Sequence, residues 1–331
     1  MARANPPGRG SRPVIAVPAR NQRKASYILK HPITREQARR LEALLEHQEN
    51  HVTEADRRLI HSPGVVSPHS PNDNTYDVQL ELGERGLFRV PAASFADRHY
   101  DLSATSRLLN ECAAWQFAQE LGSTYAQIVQ PAVWRKFVIG GKPTDGTFSL
   151  NPPGGPFFTD APVSGPADAA ALFDTLVGHR ARTSWNAHLD PSTQRLTLIN
   201  NGHAFANLGD DFEPGYFTKR RYDAGRRALT KQELATVQQL VSGDGLERIK
   251  KLLSRDRALA LEARVLATLT YKVILRPDWP VPTPDLLDKG TGVQTAVQPY
   301  NPRRPADWPA VARPRRPEPP PHTKPPNSPR L

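Results

Sequence analysis

The sequence predicts an α+β fold in which strands and helices are largely segregated along the chain. Strand signals lie mainly before residue 150, where residues 76–82 alternate apolar and polar side chains and Leu87–Val90 follows a turn that contains two glycines. Helical spacing dominates after residue 166. A doubly wound sheet is disfavoured, because strands and helices do not alternate regularly. We therefore expect a strand-rich half followed by a mostly helical half.

Several helix ends are marked by specific residues. Thr34 and Gln37 form a capping box that predicts a helix over residues 34–48, and the run that starts at Thr230 opens a later helix in the same way. Apolar spacing predicts the other helices, which are a short segment from Thr53 to about Ile60 and the ranges Leu108–Leu121, Ala167–Val177, Leu246–Leu253 and Ala258–Ile274. Gly122 is placed to end the helix that stops at Leu121.

The remaining segments predict strands or loops. Residues 128–138 have an extended pattern, and Arg195–Asn200 is expected to pair with Asn186–Leu189 as a hairpin. Residues 62–74 and 140–166 are rich in turn-forming residues and predict loops. The Gly140-Gly141-Lys142 run within the second loop lacks the spacing of a P-loop, so we interpret it as a turn.

The positive charge belongs to the two ends of the chain. The net charge is +11; residues 1–30 carry seven Lys/Arg and no acid, and residues 299–331 carry seven Lys/Arg and two acids. The ends therefore sum to +12 and the middle to about −1. Sixteen of the 34 prolines lie in residues 277–331. Both ends predict disorder, and nucleic acid is not expected to bind except through them.

These signals predict five segments. They are a disordered basic tail (1–30), a helical preface (31–66), a strand-rich segment (67–150), a mostly helical segment (151–276) and a proline-rich, basic, disordered tail (277–331).

Cysteine usage and hydropathy narrow the class of protein. Cys112 is the single cysteine, which excludes an internal disulfide and a cysteine-based zinc site. The sequence contains neither a signal-peptide pattern nor a run of about 18 apolar residues. We expect a soluble, cytoplasmic protein.

One segment carries a recognisable pattern. Residues 172–205 read LFDTLVGHRARTSWNAHLDPSTQRLTLINNGHAF. This run resembles the bacterial phosphatidylinositol 3/4-kinase-like proteins and, more distantly, the HipA kinases, in which LFDxLxxNxDRxxxN precedes a hairpin and a strand that ends in IDNGxxF. The resemblance implies a two-lobed protein-kinase-like fold. The small β-rich lobe would span residues 67–150 and carry one αC-like helix, and the mostly helical lobe would span residues 151–276.

The resemblance assigns roles within this run. Arg182 matches the Arg that follows the catalytic Asp, and Asn186 matches the metal-binding Asn. Ala181 stands at the position of the catalytic Asp, and Asn200 stands at the position of the metal-binding Asp. The neighbours Ile199, Asn201, Gly202 and Phe205 keep the family pattern.

The resemblance also extends upstream. Residues 86–91 resemble the strand that ends with the nucleotide-contacting Lys, with Arg89 in its place. Residues 110–115 resemble the start of the αC-like helix, so Glu111 matches the Glu that tethers this Lys. A kinase needs this pair to position the nucleotide, and a second set of residues to hold Mg²⁺ and orient the acceptor.

The substitutions fall on the chemical positions. Alanine at 181 cannot accept a proton, and loss of a general base alone costs about 10²–10⁴-fold in rate. Asn200 keeps an oxygen ligand without its charge, which weakens a Mg²⁺ site. We therefore expect a pseudokinase that acts by binding a nucleotide, a protein partner or both, and that binds ATP and Mg²⁺ weakly or not at all.

Other hypotheses stay open. The chain would be an active, atypical ATP-dependent kinase if Arg182, Asn186, Asn200 and Glu111 formed a reduced site. It would be a scaffold or adaptor if its basic, proline-rich tails bound SH3-like partners or an anionic surface. Asn186 and Asn200 would then be ordinary turn residues, since asparagine is favoured in turns.

A histidine-based metal site is disfavoured. Three histidines lie near the pattern, close in sequence to two aspartates, but no tight metal-ligand spacing is present. These residues are His179, His188, His203, Asp210 and Asp211.

Overall fold

An antiparallel sheet precedes a mostly helical half, which confirms the predicted α+β class. The computed structural model describes residues 33–51, 53–69, 74–92, 102–157, 165–180, 182–207 and 215–275, together with the backbone of Val14–Ala16. The described residues fall within one unit of the chain. Apart from Val14–Ala16, the predicted tails lie outside these residues.

The helices follow the predicted order, with two additions. They are α1 (Arg35–Asn50), α2 (Glu54–His61), α3 (Ala104–Glu120), α4 (Ser123–Ile128), α5 (Pro166–Val177), α6 (Tyr216–Asp223), α7 (Lys231–Ser242), α8 (Gly245–Lys251) and α9 (Arg255–Tyr271). Both predicted capping boxes are present, at Thr34 with Gln37 and at Thr230 with Glu233. The additions are α4 and α6, short helices of six and eight residues that the sequence pattern did not predict.

The strands form two sheets. They are β1 (Val14–Ala16), β2 (Gly64–Pro68), β3 (Thr75–Leu80), β4 (Arg85–Arg89), β5 (Ala132–Ile139), β6 (Lys142–Leu150), β7 (Gly155–Pro156), β8 (Ala187–Asp190) and β9 (Arg195–Leu198). The first sheet has the order β1-β2-β3-β4-β6-β5 and is antiparallel throughout. It curls, so that its edge strands β1 and β5 contact each other. The second sheet has the order β7-β8-β9 and contains the predicted hairpin.

Pairing overrides local composition in two places. The residue types of the segment that contains β2 predict a loop, and those of the tail that contains β1 predict disorder. Both segments nevertheless form strands, and β2 pairs with β1 on one side and with β3 on the other. β6 begins at Lys142 inside the second predicted loop. Its pairing with β5 is closed by Gly140 and Gly141, which both have positive φ, as a tight two-residue hairpin requires.

One face of the sheet is an aromatic core. The rings of Phe88 and Phe137 meet edge to face with centroids 4.9 Å apart, and Phe148 packs beside Phe137 at 6.1 Å. The guanidinium of Arg135 lies 4.0 Å from the Phe137 ring centroid and donates to the carbonyl oxygens of Leu59 and Ser62. Arg135 therefore anchors the end of α2 to the aromatic face of the sheet.

Helix α3 lies between the sheet and the helical half. Twelve of its seventeen residues are buried, so it is a central helix rather than a surface helix. On the sheet side, Thr147 of β6 donates its hydroxyl to the carbonyl oxygen of Leu108. On the other side, α3 contacts α1, α8 and the turn at Asn201–His203. The helix therefore carries its side chains into the region where the two halves meet.

The described part of the chain contains no helix that is both long and apolar enough to cross a membrane.

The approach of β4 to β6 generates a stability prediction. A Cβ on Gly146 would stand 2.3 Å from the carbonyl oxygen of Arg89 and 2.8 Å from the Phe88 ring. We expect Gly146→Ala to lower the free energy of unfolding by about 1–3 kcal/mol, because the added methyl group must push β4 away. Urea denaturation measures this change.

Gly155→Ala is the matched control, because a Cβ there meets nothing within 4 Å. It should change the free energy of unfolding by less than about 0.5 kcal/mol. Equal effects of the two substitutions would contradict the close strand packing at Gly146.

Candidate functional site

Arg89 and Glu111 form a buried ion pair between the sheet and α3. The two terminal nitrogens of Arg89 meet the two carboxylate oxygens of Glu111 at 2.9 Å and 2.7 Å, and one of them also donates to the Ser149 hydroxyl at 3.1 Å. The Arg89 side chain is 12% exposed and the Glu111 side chain 3%. Such a two-pronged contact fixes both side chains more tightly than a single hydrogen bond would.

Arg182 is the centre of a second, fully buried network. Its Nε donates to both carboxylate oxygens of Asp174 at 3.1 Å. One terminal nitrogen donates to the carbonyl oxygens of Asn186 and Ile199, and the other donates to the Asn201 side chain at 2.6 Å. The Arg182 side chain has no exposed surface. It therefore holds the segments before and after the β8–β9 hairpin together and does not reach a ligand.

Burial dominates the electrostatics of this network. It raises the pKa of Asp174 to about 6, although the attraction of Arg182 opposes the rise. It also lowers the pKa of Arg182, with the charge of Asp174 acting in the opposite direction. The pair is therefore held together in a place where either charge alone would be costly.

Asn186 and Asn200 lie side by side. The Asn200 amide nitrogen donates to the Asn186 amide oxygen at 2.9 Å. Both residues are partly exposed, in contrast to Arg182. Asn186 ends a 3₁₀ turn that leads into β8, and Asn200 follows β9, so the second sheet brings these two residues together. The two positions that the sequence assigned to metal ligands are neighbours whose amides bond to each other.

The segment after β9 has an unusual backbone. Asn200 has φ 55° and ψ 43°, a left-handed conformation that asparagine adopts more readily than most residues. Phe205 has φ 64°, which is costly for a bulky residue, and its fully buried ring packs edge to face on Phe117. Between them, a Cβ on Gly202 would stand 2.5 Å from the side chain of Arg107. The turn is therefore pressed tightly against α3.

Asn110 connects α3 to this turn. Its amide nitrogen donates to the carbonyl oxygens of Gly202 and Ala204, each at 3.1 Å. Its amide oxygen accepts from Arg40 of α1 at 2.7 Å and from Arg257 of α9 at 3.2 Å. Because Glu111 is the next residue of α3, the position of the ion pair is tied to the position of the turn.

The structure therefore joins four of the predicted site residues in pairs. Arg89 meets Glu111 through side chains, and Asn186 meets Asn200. Arg182 supports the second pair through the backbone of Asn186. Ala181 lies outside the described residues.

The sequence assigned no role to three residues that hold the site together, which are Asn110, Asp174 and Asn201. All three lie inside the segments that carry the resemblance, and Asn201 was noted there only as matching the pattern. Nothing in a single sequence marks a buried polar side chain as the hub of a network, because its partners are far away in the chain. The partners of Asn110, for example, lie 70 to 147 residues away.

The nearby histidines do not form a metal site with described residues. Burial lowers the pKa of His179 well below its usual range, and the neighbouring charge of Arg182 acts in the same direction. The His179 and His203 rings are 6.4 Å apart. Within the described ranges, no three His, Cys, Asp or Glu side chains are grouped to hold a metal ion. Asp210 and Asp211 lie outside these ranges.

Comparison with known proteins gives loose structural likenesses alone. No protein-family model and no curated protein matches the chain. The Golgi casein kinase with Mn/ADP bound superposes with a TM-score of 0.41 at 12% identity, covering 73% of this chain and 83% of that one. The Helicobacter pylori proinflammatory kinase CtkA superposes with a TM-score of 0.32 at 10% identity, covering 63% and 92%. Both TM-scores are below 0.5, so these likenesses assign no function to this chain.

The Arg182 network generates a prediction on stability. Arg182→Met leaves the Asp174 carboxylate buried without its partner, so we expect a loss of about 3–5 kcal/mol in the free energy of unfolding. The double variant Arg182→Met, Asp174→Leu should be more stable than Arg182→Met alone, because the uncompensated charge is gone. Chemical denaturation of wild type and the variants gives both values.

Arg226→Met is the matched control. Arg226 also pairs with an aspartate, Asp168, but its side chain is 49% exposed. This substitution should cost less than about 1 kcal/mol. If Arg182→Met cost no more than Arg226→Met, the role of Arg182 as a structural hub would be refuted.

Proposed function

We propose that this chain is a kinase-fold protein with impaired phosphotransfer, which binds a nucleotide without depending on a divalent metal. The observation that carries the proposal is a contrast between the two pairs of predicted site residues. The Arg89–Glu111 ion pair is complete, whereas two neutral amides, Asn186 and Asn200, stand at the positions assigned to the metal ligands.

The ion pair supports a nucleotide site. Protein kinases need a strand Lys paired with a Glu of the αC helix before the nucleotide is positioned. In this chain the pair joins a strand of the sheet, β4, to the helix that follows it, α3. An arginine keeps the charge of the lysine but uses both terminal nitrogens on the carboxylate, so the contact holds it more rigidly.

The amide pair supports impaired transfer. Protein kinases hold Mg²⁺ with one aspartate and one asparagine, and an asparagine at both positions leaves the ion without its charged protein ligand. Asn186 and Asn200 also satisfy each other at 2.9 Å, so an incoming ion would have to break a hydrogen bond. Arg182 cannot replace the missing charge at the reacting phosphate, because its side chain is fully buried and bonded within the protein.

The proposal extends to a protein partner. An impaired kinase fold acts by binding, and the basic, proline-rich ends of the chain have the composition of segments that bind SH3-like domains. Those ends lie outside the described residues except for Val14–Ala16.

A thermal-shift measurement with ATP tests nucleotide binding. We expect ATP to raise the melting temperature equally in Mg²⁺ and in EDTA, since binding does not depend on the metal. At one hundred times the dissociation constant the stabilisation would be about 2.7 kcal/mol. ADP release should stay at the level of the blank.

A matched pair of variants locates the binding. Glu111→Gln should lose most of the ATP-induced shift, measured against its own melting temperature without ATP, because Arg89 is no longer held. Glu42→Gln, an exposed position on α1, should keep the shift. A shift that required Mg²⁺ and came with ADP release would instead favour the active kinase. The absence of any shift would exclude nucleotide binding.

Restoring the carboxylates tests the assignment of the chemical positions. We expect the double variant Ala181→Asp, Asn200→Asp to release ADP in Mg²⁺ faster than wild type, because it regains a proton acceptor worth about 10²–10⁴-fold and a charged metal ligand. A coupled ADP assay measures the rate, and EDTA should abolish the gain.

The control for this variant is Asn50→Asp, an exposed change at the end of α1 that adds a carboxylate away from the site. It should leave ADP release at the blank level. If the double variant bound ATP and yet behaved like this control, the assignment of Ala181 and Asn200 would be wrong.

A further inference from the structure

The two pairs at the proposed nucleotide site carry no net charge. Glu111 neutralises Arg89 through contacts of 2.9 Å and 2.7 Å, and the amides of Asn186 and Asn200 are uncharged. A nucleotide that binds without a divalent metal brings the negative charges of its phosphate groups, which lose hydration on binding. Such a site therefore needs a further cation from the protein.

Arg107 of α3 is close to both pairs. It precedes Glu111 by one helical turn, and residues four apart on a helix share a face, with Cβ atoms about 5–6 Å apart. It also contacts the turn after β9. A Cβ on Gly202 would stand 2.5 Å from Cγ of Arg107, 2.9 Å from its carbonyl oxygen and 3.3 Å from its Nε. The stem of the side chain therefore runs along this turn, and the guanidinium begins beside Gly202.

The turn brings this guanidinium near the amide pair. Gly202 follows Asn200 by two residues, which span at most about 7 Å of extended chain. The separation is shorter here, because Asn200 has a left-handed backbone and Asn201–His203 form a 3₁₀ turn. Arg107 is partly exposed, in contrast to the fully buried Arg182. A phosphate group beside the amide pair is therefore within reach of Arg107.

The contact between Arg107 and the turn is held in place by a neighbour. Asn110, three residues later on α3, donates to the carbonyl oxygens of Gly202 and Ala204 at 3.1 Å each. The turn cannot leave the helix without breaking both hydrogen bonds. A side chain that is already ordered in this way loses less conformational freedom when it binds a ligand.

We propose that Arg107 binds the phosphate groups of a nucleoside diphosphate or triphosphate beside the Asn186–Asn200 pair, and supplies the positive charge that Mg²⁺ supplies in an active kinase. The proposal rests on the nucleotide binding proposed above and names the residue that recognises the phosphates. A guanidinium stays charged at neutral pH and matches a phosphate with two parallel N–H donors. It has five N–H donors in all, so Arg107 need not give up its other contacts.

Calorimetric titrations of the full-length chain in EDTA, with adenosine and with ADP, test this role. We expect wild type to bind ADP more tightly than adenosine. Arg107→Gln keeps the part of the stem that packs on Gly202 and should weaken ADP by about 10- to 100-fold, which corresponds to one hydrogen bond to a charged group. Adenosine binding should not change. Equal losses of adenosine and ADP would indicate that Arg107 only supports the turn, and would overturn the proposal.

Arg107→Lys separates the charge from the packing. Lysine keeps the charge without the planar fork, so this variant should bind ADP more tightly than Arg107→Gln and less tightly than wild type. A circular-dichroism melt checks that each variant remains folded. If the lysine variant bound ADP no better than the glutamine variant, the charge at this position would not contact the phosphates and the proposal would be refuted.

Arg58→Gln is the matched control, because it makes the same change at an exposed position of α2, a helix that contributes no residue to either pair. It should bind ADP like wild type. If Arg107→Gln bound ADP as tightly as this control, the role of Arg107 would be excluded while nucleotide binding itself would stand. If wild type bound neither adenosine nor ADP, the proposed function would fail, and the role of Arg107 with it.

Discussion

The carboxamide of Asn110 is the contact on which the arrangement of the two halves depends. It uses its donor on the turn after β9, at Gly202 and Ala204, and its acceptor on Arg40 and Arg257. An amide can do both at once, since it carries two donor hydrogens and an acceptor oxygen in one plane. A carboxylate could not donate to the two carbonyl groups, and an apolar residue would leave four buried polar groups bare. The helix that carries Glu111 is thereby fixed to the turn that carries Asn200.

Buried arginines serve a common purpose elsewhere in the fold. Arg40 donates to the carbonyl of Leu252 after α8, Arg264 donates to that of Leu176 in the last turn of α5, and Arg135 donates to that of Leu59 in the last turn of α2. The last carbonyl groups of a helix have no partner within the helix and carry a partial negative charge. Each arginine satisfies these groups from a distant element, so the contact that satisfies one helix end also docks a distant helix or strand against it.

This use of arginine has an electrostatic cost. Burial lowers the pKa of Arg40 to about 9, with the nearby charge of Arg257 adding to the effect, and burial lowers that of Arg135 to about 9. Both groups stay charged at neutral pH. Five donors in a fixed plane allow each guanidinium to contact several carbonyl groups at once, which offsets the loss of hydration.

The sequence was informative where the cause of structure is local. Capping boxes at Thr34 and Thr230 depend on residues three apart, and the β3–β4 hairpin depends on alternation over a few residues, so all three were predictable. β2 and β6 were missed because their residues do not favour strands and their pairing comes from distant neighbours. The contacts of the site were likewise predictable only in part. The resemblance to a known pattern predicted that Arg89 meets Glu111, whereas the partners of Asn110 are far away in the chain and could not be predicted from one sequence.

The amide pair explains how the site remains folded without an ion. The resemblance implies an aspartate at position 200, and that carboxylate would place a negative charge beside the neutral Asn186 amide and would favour a proton or a bound cation there. The two amides instead complete a hydrogen bond of 2.9 Å with no net charge. The amide pair carries no negative charge for Arg182 to neutralise, and the charge of Arg182 is balanced within the core by Asp174. The substitution of Asn at position 200 is therefore consistent with its surroundings: it removes the need for a metal from the folded state, and in doing so removes the charge that would hold Mg²⁺ on a nucleotide.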